Sequence, residues 1–351
     1  MIRLFWGNSL NTAMGNAYGY SVHYRSLRAA LDKLGVENTF ASDVAVHITP
    51  AVNFKPIPGK RNLLYSMYEC VTLPPSWVEP INKANAIIVP CRQNRDLFRQ
   101  YTKKPIYVVH EGCDTELYKY HERKAPEHGK PFTFLWVGAP NLRKGFAHLG
   151  QAWTMWMVKH PDLIQSGRTR LYMKSSGIKA GDEYQFKPEW NIMVDPRSTT
   201  GIPMRDIYYD AHAFILPSMG EGWGLTLIEA AATGLPCIYT PWSGPCEFMD
   251  KRYSYPVKWK FGHVRTMKKV GGKNELDHET DAAHADYQSI FQRMEQIYYG
   301  YDEALKRGKQ MSEIIHRDFT WEQSALKFLA AVTQYADTVG ADIGQKKEAV
   351  A

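Results

Sequence analysis

Short runs rich in β-branched and aromatic residues alternate along most of the chain with stretches whose apolar residues recur every three or four positions. IRLFWG precedes SVHYRSLRAALDKLG, and NTFAS, VAVHIT, LLYSMY, AIIVPC and IYVVHE follow. That alternation is the pattern of a parallel sheet whose strands are joined by crossover helices. A second series opens with FTFLWVG and runs through LYMKSS, NIMVD, AFILPS and PCIYT. Between the two lies KYHERKAPEHGKP, residues 119–131, polar, charged and broken by Pro and Gly. Such a composition predicts an exposed hinge. The expected organisation is an open α/β domain over residues 1–118, a linker over 119–131, a second α/β domain over 132–318 and a C-terminal helix over 319–340.

One segment interrupts the alternation. From Lys251 to about Asp286, the basic KWKFGHVRTMKKVGGK is followed by the acidic NELDHETD, which predicts an irregular, mobile excursion. At 351 residues the length fits about two domains of roughly 100–200 residues each. A hydrophobic fraction of 44% and a charged fraction of 23% exclude disordered, collagenous and coiled-coil classes as the main architecture. The formal charge of +7 favours anionic partners without specifying one. Five scattered cysteines, Cys70, Cys91, Cys113, Cys237 and Cys246, form no CxxC pair, against a zinc site or a disulfide framework. The first twenty residues lack the pattern of a secretory signal, so the cytoplasm is the expected location. The longest apolar runs span about seven residues against the ~20 a helix needs to cross a bilayer, leaving only peripheral membrane contact.

The richest stretch for chemistry is AFILPSMGEGWGLTLIEAAATGLPCIYTPWSGPCEFMD. A buried strand ends at Pro217 and runs into a Gly-rich loop that opens a helix, an order that suits anion binding. Glu221 and Glu229 stand eight positions apart, the second within small and apolar neighbours. A buried carboxylate there needs hydroxyl or amide partners, which two ribose hydroxyls can supply; the alternative is an exposed helix residue. In the first domain the loop NSLNTAMGNAYGY carries Gly15 and Gly19 ahead of a helix, without GxGxxG. These glycines either let backbone NH groups approach a phosphate or sugar, or simply make a tight turn.

EGWGLTLIE resembles the Glu, seven residues, Glu signature of glycosyltransferase family 4, retaining nucleotide-sugar enzymes of GT-B fold. The resemblance extends to FLWVGAPNLRKG, IPMRDIYYDAHAFILPS, YEC through VVHEGCDTELY, TPWSGPCEF and DFTWEQSALKFL, in the right order. It implies an α/β protein of two Rossmann-like parallel-sheet domains facing a central cleft, the first acceptor-side, the second binding the donor, with the C-terminal helix returning to the first. It further implies a retaining transfer from a nucleotide sugar, UDP-linked, to a hydroxyl. By the same resemblance Glu229 binds the ribose, Glu221 with the backbone of Gly222, Trp223 and Gly224 holds the sugar, Leu225 belongs to the donor-binding residues, and Lys144, after Gly138, holds the diphosphate.

This sequence departs from the family at two places. Ala139 stands where an arginine usually follows the glycine, and Arg143 is the candidate substitute cation. Tyr68 and Glu69 stand near the family's usual first-domain histidine; Glu69 either orients or deprotonates the acceptor or caps a turn. His110 is a further polar candidate. No Asp-x-Asp motif lies beside a strand, so no metal and no cofactor are expected. The expected acceptor is a glycan or lipid. A second expectation is hydroxymethylated DNA, because CRQNRDLFRQYTKKP places Arg92, Arg95 and Arg99 on one helical face, with Lys103 and Lys104 beyond. Rivals of other classes are a GT-B epimerase and a nucleic-acid-binding protein without catalysis. Oligomeric state is not legible.

Overall fold

The computed structural model describes residues 2–6, 19–175, 188–197, 202–270 and 273–344. The chain divides into two compact units. The first comprises Met1–Gly112, His263–Asp281 and Phe319–Ala351; the second comprises Cys113–Gly262 and Ala282–Asp318.

The first unit is built on β1 (Arg3–Trp6), β2 (Glu37–Asn38), β3 (Val44–Ile48), β4 (Arg61–Tyr65), β5 (Ala86–Val89) and β6 (Ile106–Val108). They pair in the order β2-β1-β3-β4-β5-β6, all parallel. Every residue of β3 and β5 is buried, as expected where helices cover both faces of a parallel sheet. The helix Trp321–Val339 also belongs to this unit and packs on the helix Gly19–Lys33. It starts with a capping box in which Thr320 and Gln323 satisfy each other's backbone NH groups.

The second unit carries β7 (Phe132–Val137), β8 (Thr169–Lys174), β9 (Ile192–Asp195), β10 (Ala213–Leu216), β11 (Cys237–Tyr239) and β12 (Tyr255–Pro256). Their order, β12-β11-β10-β7-β8-β9, is that of a Rossmann sheet, with the direction of winding reversing between β7 and β10. The aromatic helix Phe146–Lys159 buries Leu149, Ala152, Trp153 and Trp156. Trp156 donates to Thr169 Oγ1 (3.1 Å) and Trp153 to the Trp190 carbonyl (2.8 Å), so both indole NH groups are satisfied inside the unit.

Two sequence expectations are corrected. The excursion after Lys251 is not irregular: β13 (Trp259–Val270) and β14 (Lys273–Ala285) form a long two-stranded hairpin. Nor is the segment 119–131 a purely exposed hinge. Arg123 is only 8% exposed and donates to the carbonyls of Ala211, His121, Tyr208 and Thr233, because helix ends offer unsatisfied acceptors there.

Candidate functional site

The loop after β7 is shaped by glycine. Gly138 lies 3.1 Å (from the position of a Cβ) from the Trp136 ring and 3.3 Å from Lys144 Cγ, so a larger residue would displace the lysine stem. Asn141 accepts from the Lys144 NH (3.1 Å), closing a short 3₁₀ turn over Leu142–Lys144. Gly145 follows in the left-handed region at φ 72°, where a Cβ would stand 1.9 Å from the Pro217 carbonyl oxygen. Only glycine lets this loop lie directly on the end of β10. The Met219 NH donates to the Arg143 carbonyl (2.7 Å), joining the loops of the two strands between which the winding reverses. In open α/β sheets that crevice at the carboxyl ends of the strands is where ligands bind.

Three charged side chains meet there. Lys144 Nζ stands 2.8 Å from both carboxylate oxygens of Glu221. Arg143 Nη1 donates to the Gly220 carbonyl (2.9 Å) and lies 3.4 Å from Glu221 Oε2. Burial alone would raise the Glu221 carboxyl, but Lys144 and then Arg143 outweigh it and hold the group below the usual carboxylate range. The Glu221 carbonyl accepts from Ser243 Oγ (2.7 Å) and the Gly244 NH (3.1 Å), tying in the loop after β11. The helix Leu225–Ala232 then starts from Gly224 at φ 109°.

Glu229, on that helix, is half-buried and meets hydroxyls of the protein itself. Tyr208 donates to its Oε2 (2.9 Å), and Tyr118 hydrogen-bonds it as well. Burial raises this carboxyl to about 7, the two tyrosines partly oppose the rise, and Asp114 adds to it. A carboxylate with two fixed donors and a remaining exposed side is suited to receive further hydroxyls from a ligand.

Residues 91–328, well over half of the chain, match the family described as family 4 glycosyltransferases in conflict systems. The chain belongs to that family. Among solved structures, the Anabaena protein HepE, crystallised with UDP and glucose, covers 95% of this family 4 chain and is itself 99% covered, at 11% identity and a TM-score of 0.63. The sucrose-phosphate synthase of Thermosynechococcus elongatus covers 93% and is 81% covered, at 14% identity and a TM-score of 0.60. TarM covers 87% at 16% identity and a TM-score of 0.56, and this chain spans 57% of its length. Sequence likeness to the curated sucrose synthase of Melioribacter roseus is confined to 64 residues at 34% identity, 18% of this chain and 8% of that protein. The two six-stranded parallel sheets are thus those of the GT-B fold.

Within the second unit of this family 4 chain the structure brings together Gly138, Arg143, Lys144, Glu221, Gly222, Trp223 and Gly224, while Leu225 and Glu229 ride the helix that follows. Arg143 reaches Glu221 from its own backbone position rather than from that of Ala139. The Trp223 ring is buried against Phe248. The other candidates lie in the first unit, apart from Gly15, which falls outside the described residues. Gly19 is the exposed first residue of its helix. Tyr68 is a buried residue packed on Trp77, its backbone held by Asn94. Glu69 is half-buried near Tyr20, whose hydroxyl is raised chiefly by burial and in smaller part by this carboxylate. His110 offers its carbonyl to Ser324 Oγ (2.6 Å). Arg92, Arg95 and Arg99 lie off the buried face of the short helix Arg92–Phe98, with Arg95 paired to Asp96 (2.9 Å).

Tyr208, Tyr118, Asn141, Ser243 and Arg123 are absent from the sequence-based candidates. The roles of Tyr208, Tyr118, Ser243 and Arg123 arise from contacts across many residues that no local spacing announces, whereas Asn141 caps its own short turn three residues before Lys144. Among the described residues no group of three or more metal-ligating side chains occurs, and no helix is long and apolar enough to cross a membrane.

Proposed function

We propose that the protein transfers a sugar, with retention, from a nucleotide sugar bound on the second unit to a hydroxyl acceptor. One observation carries this reading: Lys144 and Glu221 meet at 2.8 Å where the loops of β7 and β10 join, with Glu229 on the adjoining helix. In this reading the ribose hydroxyls donate to Glu229, already oriented by Tyr208 and Tyr118. Glu221 and the backbone of Gly222–Gly224 hold the sugar. The diphosphate takes the outward NH groups of Lys144, with Arg143 and the start of the helix Leu225–Ala232 adding positive potential.

As the anomeric carbon–oxygen bond breaks, negative charge grows on the departing diphosphate, and a cation already fixed beside it stabilises that state without reorganisation. Glu221 stays ionised and keeps Lys144 in place. The acceptor oxygen attacks the face that the diphosphate leaves, and a phosphate oxygen takes its proton, which gives retention without a carboxylate nucleophile. Lys144 and Arg143 fill the role that a metal ion has in other transferases, so none is required in this account.

UDP is favoured as the nucleotide because HepE was solved with UDP and glucose and TarM with UDP. The acceptor in this reading is a glycan or lipid hydroxyl; TarM was also solved with α-GlcNAc-glycerol, which supports that class. Incubation with labelled UDP-sugars and hydroxyl acceptors tests the proposal. Acceptor-dependent product with the anomeric configuration of the donor, read by proton coupling, is the expected result. Sugar conversion without an acceptor indicates an epimerase instead, and an inverted product rejects retention.

A further inference from the structure

The segment just after the boundary between the units carries a buried guanidinium that the donor reading leaves unused. All five NH donors of Arg123 have acceptors. Nε donates to the Ala211 carbonyl (3.2 Å), Nη1 to the carbonyls of His121 (3.0 Å) and Thr233, and Nη2 to the Tyr208 carbonyl (3.0 Å) and Thr233 Oγ1 (3.0 Å). Its acceptors are carbonyl and hydroxyl oxygens rather than a carboxylate. Burial lowers the group to about 10, which still leaves it charged at neutral pH.

The acceptors have a common origin. Tyr208 and Ala211 lie at the end of the helix Ile202–Tyr209, and Thr233 is the C-cap of the helix Leu225–Ala232. Both helix ends present unsatisfied carbonyls at the negative pole of a helix dipole, and one planar cation caps the two together. Lysine cannot reproduce this, because a single ammonium lacks the five forked donors.

Those two helices carry the pair that faces the ribose in the donor reading. Tyr208 is held twice, its carbonyl by Arg123 and its hydroxyl on Glu229 at 2.9 Å. The same short segment also provides Tyr118, the second hydroxyl on Glu229, and the His121 NH donates to the Thr233 carbonyl (3.1 Å). Gly234 keeps the segment close: at φ 81°, a Cβ there would stand 2.7 Å from the Tyr120 ring.

We propose that Arg123 is a positioning residue for the donor: by capping both helices it fixes their spacing, so that Tyr208 and Tyr118 hold the Glu229 carboxylate in the orientation that meets the ribose. This inference rests on the donor reading above.

Calorimetric titration with UDP, at a temperature where every variant is folded, tests it on the full chain. The variants are Arg123→Met, Thr233→Val, Tyr208→Phe and the Arg123→Met/Tyr208→Phe double. Arg123→Met is expected to weaken UDP at least tenfold and Thr233→Val a few-fold. The double variant is expected to lose little more than Arg123→Met alone, since contacts acting through one another are not additive. Glu229 is faced by Tyr208, Tyr118, Asp114 and Cys113, none altered by Arg123→Met. Because the tyrosine donors hold its carboxyl down, their displacement should move the pH midpoint of UDP affinity upward in Arg123→Met, as in Tyr208→Phe. A role confined to folding lowers the melting temperature but leaves UDP affinity and its pH midpoint unchanged, and that result overturns the proposal. If Arg123→Met does not fold, Thr233→Val decides by the same criteria. A wild-type protein that binds no UDP sinks the donor reading itself; one that binds UDP while Arg123→Met and Thr233→Val bind it equally well sinks only the role of Arg123.

Discussion

Glu221 and Glu229 sit eight positions apart in opposite surroundings. Glu221 is held ionised by Lys144 and Arg143 against the effect of burial, whereas burial raises Glu229 to about 7. Environments that push two carboxyls apart in this way assign them different tasks. Ionised Glu229 is the better acceptor for ribose hydroxyls, so UDP affinity should increase as pH rises through about 7. The ligand-free fold should respond in the other direction: a carboxyl raised in the folded state contributes stability below its ordinary range, and loses it as pH rises through about 7. Glu229→Gln should flatten both profiles, as calorimetry and pH-dependent melting will read. Glu229→Ala should weaken UDP by about 10–100-fold, in line with roughly 1.5–3 kcal/mol for a hydrogen bond to a charged group. In the proposed mechanism the charge of Lys144 acts most on the departing diphosphate, so Lys144→Ala should lower kcat by more than it raises KM. A change in KM alone contradicts that role. Glu221 and Glu229 stood out in the sequence because loop, helix start and carboxylates are contiguous, and Lys144, 77 positions earlier, was singled out only by the family resemblance. Tyr208 and Tyr118 were not, since nothing local says which surface tyrosine will turn inward onto a carboxylate.

The elements place these residues, and glycine decides how closely they approach. Gly145→Ala combines a left-handed φ with a contact of 1.9 Å to the Pro217 carbonyl, and at Gly244 a Cβ would stand 2.5 Å from the Trp223 backbone. Each substitution should cost more than about 2 kcal/mol and abolish UDP binding, because both loops shape the site. Gly150, exposed on the helix Phe146–Lys159 with nothing within 4 Å of a Cβ, is the control. Gly150→Ala should stabilise by about 0.5–1 kcal/mol without touching binding, as paired melting and titration will show. The core strands of both sheets were readable because apolar runs flanked by turn residues have few other uses. The hairpin of β13 and β14 was not, because basic and acidic runs along both strands hide the apolar alternation that marks a strand. The segment around Arg123 misled for a related reason: charged composition reads as exposed, and the carbonyl acceptors that bury it belong to helix ends far along the chain.

At the scale of the whole molecule, two parallel six-stranded sheets and a family match identify the lineage, but a fold of this kind hosts several chemistries and the activity must be argued from the site. In the proposed mechanism Lys144 and Arg143 supply the positive charge, so transfer should proceed undiminished in EDTA; loss of activity restored by magnesium or manganese contradicts that assignment. The central claim, a nucleotide-sugar site on the second unit, is tested most directly by thermal shift across a panel of nucleotide sugars. A true donor at 100 times its Kd should stabilise the fold by about 2.7 kcal/mol through mass action. The account predicts that a UDP-sugar raises the melting temperature of the wild-type protein and, at the same concentration, shifts that of Glu229→Ala by about half as much or less. No shift with any nucleotide sugar, or an equal shift in both proteins, would contradict it.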